Sequence, residues 1–240
     1  MDIITIRNTT YLLNPNYAAH FQAEHFEPAW WQAQNAVVGQ SHGRGITWFV
    51  QLGQQQGVLR HYYRGGWLGK LLHDRYWFTG WQRSRAADEF RLLQTMQAQG
   101  LPVPTPWAAR IQRYGWFYRA DLLLQRIPDA HDVVSLLRTR PLSRDEWHTL
   151  GQTLQHLHRA NIDHADLNSH NLLLDKAGKA WVIDFDKGKQ RPAGGAWQVA
   201  NMQRLQRSFR KELHLNPTLH WQESDWQLLL EGYGSTCSKA

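Results

Sequence analysis

The stretch HLHRANIDHADLNSHNLLL, from His156 to Leu174, is the most informative part of this 240-residue sequence. It contains four histidines, two aspartates and three asparagines, and it ends in three consecutive leucines. Two interpretations compete: a metal site built from the histidines, or a loop that acts through its oxygen-bearing side chains. His156 and His158 lie two residues apart on a predicted helix, so their side chains point about 200° apart. No H-E-x-x-H pattern and no nearby cysteine accompany them, so zinc is not expected.

The spacing of carboxylates and amides around this stretch favours the second interpretation. Asp166 precedes Asn171 by five residues, and Asp184 follows at the end of the apolar run VI. Phosphoryl transfer needs a carboxylate to accept the proton of the attacking hydroxyl, and an Asn and an Asp to hold Mg²⁺ against the phosphates. The pattern predicts Asp166 as the catalytic base, with Asn171 and Asp184 as metal ligands. The alternatives are turn-forming roles for the first two and a plain strand-end carboxylate for the third.

The composition limits the classes of protein. A hydrophobic share of 42% and a charged share of 20% are typical of a globular chain. A net charge of +7, from 27 basic and 20 acidic residues, favours an anionic partner: nucleotide, nucleic acid, acidic lipid or phosphorylated sugar. No signal-peptide pattern and no bilayer-spanning apolar run are found, so a cytosolic or membrane-surface protein is expected. The lone Cys237 excludes a cysteine-based zinc site and predicts a reducing compartment.

Sequence patterns predict an α+β protein in two lobes, residues 1–127 and 128–240. In the first, GITWFVQL and GVLRHYY are strand-like runs separated by a turn, and WFYRADLLLQ is a third. Between them, Ser84 to Gly100 has helical spacing, with four apolar residues on one face: Ala87, Phe90, Leu93 and Met96. In the second, a capping box at Ser143 and Glu146 starts a helix, and the short strands NLLLD and KAWVIDF and two helices follow. A single mixed domain is the alternative.

These motifs, in this order, resemble the protein-kinase-like superfamily. HADLNSHN is similar to the catalytic loop H-R-D-L-x-x-x-N, and DFD is similar to D-F-G. The resemblance implies a two-lobed kinase fold, with a β-rich N-lobe containing one helix and a mainly helical C-lobe. It also implies ATP and Mg²⁺ as cofactors, and a histidine, His164, that supports the backbone around Asp166.

The same resemblance assigns nucleotide-binding roles in the first lobe. Gly43 and Gly45 would form a short Gly-rich loop over the phosphates, and Arg60 would replace the usual phosphate-binding Lys, with Glu89 as its ion-pair partner. The adenine would lie against the linker at residues 125–127. The alternatives are an ordinary hairpin G-x-G, a solvated strand arginine and an exposed helix carboxylate.

Departures from the superfamily pattern narrow the acceptor. Ala165 replaces the Arg that receives a phosphorylated activation loop in many protein kinases, and no A-P-E follows Asp184. Asn168 stands where protein-serine kinases often carry Lys. These differences favour a small-molecule or glycan acceptor over a protein.

The run RHYYRGGWLGKLLHDRYWFTGWQRSR, residues 60–85, interleaves basic and aromatic residues. Such a mixture suits a membrane surface or stacking on sugars or bases, with a buried strand pair as the alternative. RHYYRGG-x-x-GKLL, EFRLL and GLPVP resemble the bacterial lipopolysaccharide-core kinases over about residues 39–210. That resemblance implies phosphorylation of 3-deoxy-D-manno-octulosonic acid (Kdo) in Kdo-lipid A, at the 4-hydroxyl, on the cytoplasmic face of the inner membrane as a peripheral protein.

Three other possibilities stay open from sequence. A heptose kinase would use the same apparatus, and a catalytically silent kinase-like protein would bind glycolipid or membrane. A nucleic-acid binder has no recognised motif and is not expected. Arg204, Arg207 and Lys211 fall near one face of a predicted helix, where they would bind an anionic sugar or membrane or simply be solvated. The sequence assigns no role to His170.

Overall fold

The computed structural model describes residues 1–42, 45–64, 74–192 and 194–234. Gly43, residues 65–73 of the basic aromatic run, and Cys237 therefore lie outside the described residues. The chain divides into two compact units. Unit 1 comprises Met1–Gln94 and Pro104–Arg126, and unit 2 comprises Thr95–Val103 and Ile127–Ala240. The fold is α+β, with a β-rich first unit and a mainly helical second unit.

Unit 1 is built on an eight-stranded antiparallel sheet. Its strands are β1 Asp2–Ile6, β2 Thr9–Leu13, β3 Val37–His42, β4 Ile46–Leu52, β5 Gln55–His61, β6 Tyr76–Trp77, β7 Pro106–Tyr114 and β8 Phe117–Gln125. Their order is β1-β2-β7-β8-β5-β4-β3, and β6 pairs with β8. The predicted β4–β5 hairpin is confirmed, and its turn contains Gly53 at a φ of 56°, a conformation that favours glycine.

The amphipathic helix predicted for unit 1 is confirmed as α3, Arg85–Ala98, and Gly100 follows it at a φ of 72°. Its predicted apolar face is buried: Ala87, Phe90, Leu93 and Met96. Two short helices, α1 Pro15–Ala18 and α2 Pro28–Ala33, accompany it. Sequence periodicity does not predict them because neither is long enough to show a helical repeat. Each starts at a proline, a residue suited to the first helical turn.

Unit 2 contains four helices and two small sheets among its described residues. The elements are β9 Ala130–Asp132, α4 Val133–Leu137, α5 Arg144–Arg159, β10 Ile162–Asp163, β11 Leu172–Asp175, β12 Ala180–Val182, β13 Lys189–Gln190, α6 Ala196–Leu215 and α7 Glu223–Gly234. The capping box at Ser143 and Glu146 is confirmed at the start of α5. Helices α5 and α7 approach closely at Gly151 and Gly232, where a Cβ on either glycine would overlap the other helix's backbone.

Candidate active site

The β11–β12 hairpin of unit 2 holds two of the predicted site residues next to each other. Asn171 immediately precedes β11, and Asp184 lies two residues after β12. Leu172 pairs with Val182, and the backbone N–H of Ile183 donates to the Asn171 carbonyl at 3.0 Å. Because the two hairpin ends are hydrogen-bonded, Asn171 and Asp184 are neighbours in space.

Asparagine side chains fix the backbone of Asp166 from within its own loop. The amide nitrogens of Asn168 and Asn171 approach the Asp166 carbonyl oxygen at 3.1 and 3.3 Å. The Oδ1 atom of Asn168 also accepts from the His170 N–H at 3.0 Å. Ser169 ties the loop to α6 through a hydroxyl contact with Ser208 at 2.8 Å. The five-residue spacing from Asp166 to Asn171 thus closes a hydrogen-bonded turn.

His164 connects this loop to the strand that leads to Asp184. Its Nε2 atom donates to the Ile183 carbonyl at 2.9 Å, and its ring packs 4.7 Å from the ring of Phe185. Burial lowers the pKa of His164, so the imidazole is neutral with its proton on Nε2. The His164 side chain therefore holds the backbone at Ile183, and its support of the backbone around Asp166 stays a prediction.

Two non-glycine residues of the site adopt left-handed backbone conformations. The φ angle is 58° at Ala165 and 65° at Asp184. This conformation costs about 1–2 kcal/mol for a residue with a Cβ. Ala165 is held by its N–H bond to Asp163 Oδ1 at 2.9 Å, and its carbonyl accepts from Arg204. Two of the six described non-glycine residues with positive φ are therefore Ala165, next to Asp166, and Asp184, and hydrogen bonds hold the conformation at Ala165.

The buried side chain of Asp163 anchors the loop that carries Asp166. The sequence motifs indicate no role for this residue. Its buried carboxylate accepts from Asn201 Nδ2 at 3.2 Å and from Arg191 Nε at 3.1 Å, in addition to the Ala165 N–H. The sequence does show a carboxylate three residues before Asp166. It does not show which residues bind that carboxylate, because Arg191 and Asn201 are remote in the chain. These contacts hold the backbone that carries Asp166.

Lys187 is the second residue that sequence reasoning missed. Its Nζ atom lies 3.0 Å from Asp166 Oδ2, with side chains 52% and 39% exposed. A solvent-exposed ion pair of this kind adds little stability, about 0–1 kcal/mol. The pair therefore contributes little to the stability of the fold. It places a cation in contact with the predicted catalytic carboxylate.

The histidines that first suggested a metal site occupy different environments. His156 is exposed on α5, whereas His158 is buried, with Nδ1 2.6 Å from the Tyr233 hydroxyl. Burial lowers the pKa of His158 to about 4. His170 contacts the carboxylates of Asp132 at 3.4 Å and Glu212 at 3.1 Å, and these contacts raise its pKa.

In unit 1, the ion pair predicted between Arg60 and Glu89 is present. Arg60 Nη2 donates to Glu89 Oε2 at 2.5 Å, and the Tyr62 hydroxyl donates to the same oxygen at 2.5 Å. The Glu89 side chain is only 1% exposed, which excludes the alternative of a solvated helix charge. Gly45 directly precedes β4, and a Cβ there would overlap the Tyr63 ring. The close approach of that ring is the physical reason for glycine at this position.

The three basic residues predicted on α6 are placed differently from one another. Arg204 is half-buried and donates to the Ala165 carbonyl, so it contacts the loop that carries Asp166. Arg207 and Lys211 are exposed. Only Arg204 therefore belongs to the loop's immediate surroundings, and no ligand role follows for the other two from their positions alone.

The chain is a phosphotransferase that acts on an alcohol group, as its sequence family and its relatives show. The chain belongs to the lipopolysaccharide kinase (Kdo/WaaP) family, whose sequence profile matches residues 28–233.

Relatives similar to this chain extend over most of its length. A 3-deoxy-D-manno-octulosonic acid kinase of Vibrio parahaemolyticus is 48% identical over 206 residues, covering 86% of each chain. A protein of the same name from Vibrio vulnificus (strain YJ016) is 46% identical over 210 residues, covering 88% of each. One from Photobacterium profundum is 42% identical over 233 residues, covering 97% of this chain and 98% of its own. The structure of the Cydia pomonella granulovirus kinase PK-1 aligns with a TM-score of 0.45 and 14% identity, over 65% of this chain and 52% of that one.

Proposed function

We propose that the protein transfers the γ-phosphate of ATP to the 4-hydroxyl of Kdo in Kdo-lipid A, during synthesis of the lipopolysaccharide inner core. The relatives named Kdo kinases support the acceptor. The observation that carries the chemistry is the partly exposed Asp166 carboxylate, in a loop fixed by Asn168, Asn171 and His164. A rigid backbone with an accessible carboxylate is what a general base needs.

In this proposal Asp166 orients the attacking hydroxyl and accepts its proton. Lys187 contacts one oxygen of the same carboxylate and would lie near the charge that develops on the transferred phosphoryl group. Asn168 occupies the position where many protein kinases carry a catalytic-loop Lys. Lys187 supplies the cation that this loop lacks.

The donor atoms available at the hairpin ends fit magnesium. Asn171 uses its amide nitrogen on the Asp166 carbonyl, so the amide oxygen is the atom it offers to a ligand. That oxygen and the Asp184 carboxylate are hard donors of the type Mg²⁺ prefers, and nucleotide phosphates and water complete such sites. Bound Mg²⁺ would neutralise charge on the β- and γ-phosphates. Within the described ranges, no cluster of three or more His, Cys, Asp or Glu side chains forms a separate metal site.

Unit 1 would hold the nucleotide. Arg60, positioned by the buried carboxylate of Glu89, would bind phosphate through its guanidinium fork. Backbone amides of residues 43–45 would cover the phosphates, and residues 125–127 would contact the adenine. On α6, Arg204, Arg207 and Lys211 would attract the acceptor's carboxylate and phosphates.

A peripheral position at the cytoplasmic face of the inner membrane completes the proposal, since the acceptor is a glycolipid. No helix within the described part of the chain is long and apolar enough to cross a bilayer.

An acceptor panel tests the proposal. Purified protein with Mg-ATP is supplied separately with Kdo-lipid A, a heptose-containing core acceptor, and no acceptor, and ADP formation is followed. Acceptor-dependent ADP release with Kdo-lipid A alone supports the proposal. Release only with the heptose-containing acceptor points to a heptose kinase. No release above the acceptor-free rate would favour a silent binding protein.

A further inference from the structure

One end of the unit 1 sheet exposes large apolar side chains. Trp116 is 72% exposed and Trp77 is 58% exposed, and Ile6 and Tyr114 beside them are also exposed. We call these four residues the aromatic end. Soluble monomers rarely leave such side chains grouped together, and a grouped patch marks an interaction surface.

Strand pairing brings the aromatic end together from distant parts of the sequence. In the β7–β8 hairpin Tyr114 pairs with Phe117, and Phe117 also pairs with Trp77 of β6. The rings of Trp77 and Trp116 stack at 6.2 Å with an interplanar angle of 18°. The β1–β2 turn lies alongside, because the side chain of Asn8 donates to the Arg113 carbonyl at 2.7 Å. Ile6 therefore joins the same surface.

Arginines surround these rings. Arg113 is exposed, with its guanidinium carbon 4.8 Å from the centre of the Phe78 ring. The guanidinium carbon of Arg119 lies 5.4 Å from the centre of the Tyr114 ring. Arg7, in the β1–β2 turn, and Arg75, directly before β6, are exposed as well. The neighbouring acid, Asp74, binds Arg119 at 2.7 Å and His61 at 3.3 Å, and is therefore neutralised locally.

Amphipathic rings next to arginines match the chemistry of a lipid headgroup layer. Trp and Tyr are favoured at the boundary between hydrocarbon and water, and arginines are attracted to anionic lipids by about 1 kcal/mol each. A protein partner or a second copy of this chain would cover the rings but gives no reason for the ring of cations. We propose that the aromatic end docks on an anionic phospholipid bilayer, with Trp77 and Trp116 inserted at headgroup level.

The position of the aromatic end in the sheet relates it to Gly45, which the proposed function places over the nucleotide. Gly45 directly precedes β4, which begins at Ile46, and β5 ends at His61, which pairs with Asp121 of β8. Gly45 and the aromatic end therefore lie towards the same end of one sheet. They are separated by two strand steps across the sheet and by five residues along β8, from Asp121 back to Trp116, which is roughly 20 Å in all. This link rests on the proposed function: a docked sheet end would hold Gly45 near the membrane that carries a glycolipid acceptor.

Vesicle co-sedimentation tests the docking surface without any enzyme assay. The probes are vesicles of phosphatidylethanolamine with phosphatidylglycerol, and neutral vesicles of phosphatidylcholine. The wild-type chain should bind the anionic vesicles more tightly. The double variant Trp77→Ala with Trp116→Ala should bind them on the order of tenfold or more weakly, because two large rings no longer insert. Arg113→Glu, which leaves the rings intact, should weaken anionic binding without changing binding to neutral vesicles.

Two control variants test whether other exposed apolar or basic side chains account for vesicle binding. Leu215→Ala removes an exposed apolar side chain of unit 2 and should bind like wild type. Arg207→Ala with Lys211→Ala removes the exposed cations of α6 and should retain most vesicle binding. Wild-type binding by the tryptophan double variant, equal binding to both vesicle types, or a self-association that this variant abolishes would overturn the proposal.

Activity separates failure of docking from failure of the proposed function. With detergent-dispersed Kdo-lipid A, the tryptophan double variant should turn over like wild type, and with vesicle-embedded Kdo-lipid A it should be slower. If no form of the acceptor is phosphorylated but the vesicle-binding pattern holds, the proposed function fails while the docking surface stands. If phosphorylation in vesicles is unchanged by the double variant, the docking surface fails while the proposed function stands.

Discussion

The Nζ atom of Lys187 lies 3.0 Å from Oδ2 of Asp166, across 21 residues of sequence. The pair is accessible to solvent and sits beside a backbone carbonyl fixed by two asparagine amides. A solvent-exposed ion pair contributes little to the free energy of folding. We therefore expect Lys187 to act in the reaction. This expectation separates a catalytic role from a structural one.

Lys187→Ala should lower kcat by roughly 10²–10³-fold, the range seen when one stabilising donor is removed from a transition state. The free energy of unfolding should change by less than about 1 kcal/mol. Lys187→Arg should recover part of the activity, because a cation is restored with altered geometry. Steady-state kinetics and urea denaturation measure both quantities. Lys189→Ala, an exposed lysine two residues further on, is the control and should be active; full activity of Lys187→Ala would remove the residue from the mechanism.

Asp184→Ala should abolish the magnesium dependence of nucleotide binding, because a charged oxygen donor is lost. Isothermal titration with ATP, in Mg²⁺ and again in EDTA, measures the effect. Wild type should bind ATP more tightly with Mg²⁺ present, and the variant should bind equally in the two conditions. Asn171→Ala should change the titrations in the same direction. Unchanged Mg-ATP affinity in Asp184→Ala would contradict the ligand assignment.

Arg60→Met should destabilise unit 1 by roughly 3 kcal/mol, because it removes the cation from a buried carboxylate. The double variant Arg60→Met with Glu89→Gln should regain much of this stability, since a neutral amide then replaces the buried carboxylate. Neither variant should regain wild-type ATP affinity if Arg60 binds phosphate. Chemical denaturation and nucleotide titration distinguish the two effects. A double variant with wild-type ATP affinity would show that the pair is only structural.

His158 predicts a specific dependence of stability on pH. Burial lowers its pKa from 6.5 to about 4, so between these values the unfolded chain binds a proton that the folded chain does not. Stability from this group is therefore complete above pH 6.5 and is lost as the pH falls towards 4, by about 3 kcal/mol. Urea denaturation at pH 7 and pH 5 should show a smaller difference for His158→Gln than for wild type. The raised pKa values of His61 and His170 act in the opposite direction in both proteins and cancel in that comparison. Equal pH dependence in the two proteins would contradict the prediction.

Local sequence patterns predict the parts of this molecule that are local in space. Asp166 and Asn171 share one loop, and Asp184 follows the hairpin that begins after Asn171. Their spacing in the sequence is therefore enough to predict that they lie close together. The apolar face of α3 and the capping box of α5 are likewise consequences of neighbouring residues.

Contacts between residues that are far apart in the sequence could not be predicted from local patterns. Lys187 lies 21 residues from Asp166 in the sequence and reaches it because the chain turns back after β12. Asp163 recruits Asn201 from α6, whose packing is set by tertiary contacts. The Trp77–Trp116 stack depends on β6 pairing with β8, and no pattern in either segment signals that pairing.

The most direct test of the central claim is mass spectrometry of Kdo-lipid A after incubation with Mg-ATP and either wild-type protein or Asp166→Ala. With wild type, the glycolipid should gain one phosphate, and fragmentation should locate it on Kdo. Asp166→Ala should leave the glycolipid unmodified while binding ATP with near wild-type affinity, because the base is lost and the phosphate contacts remain. A phosphate gained at an undiminished rate with Asp166→Ala, or no phosphate on Kdo with wild type, would contradict the account.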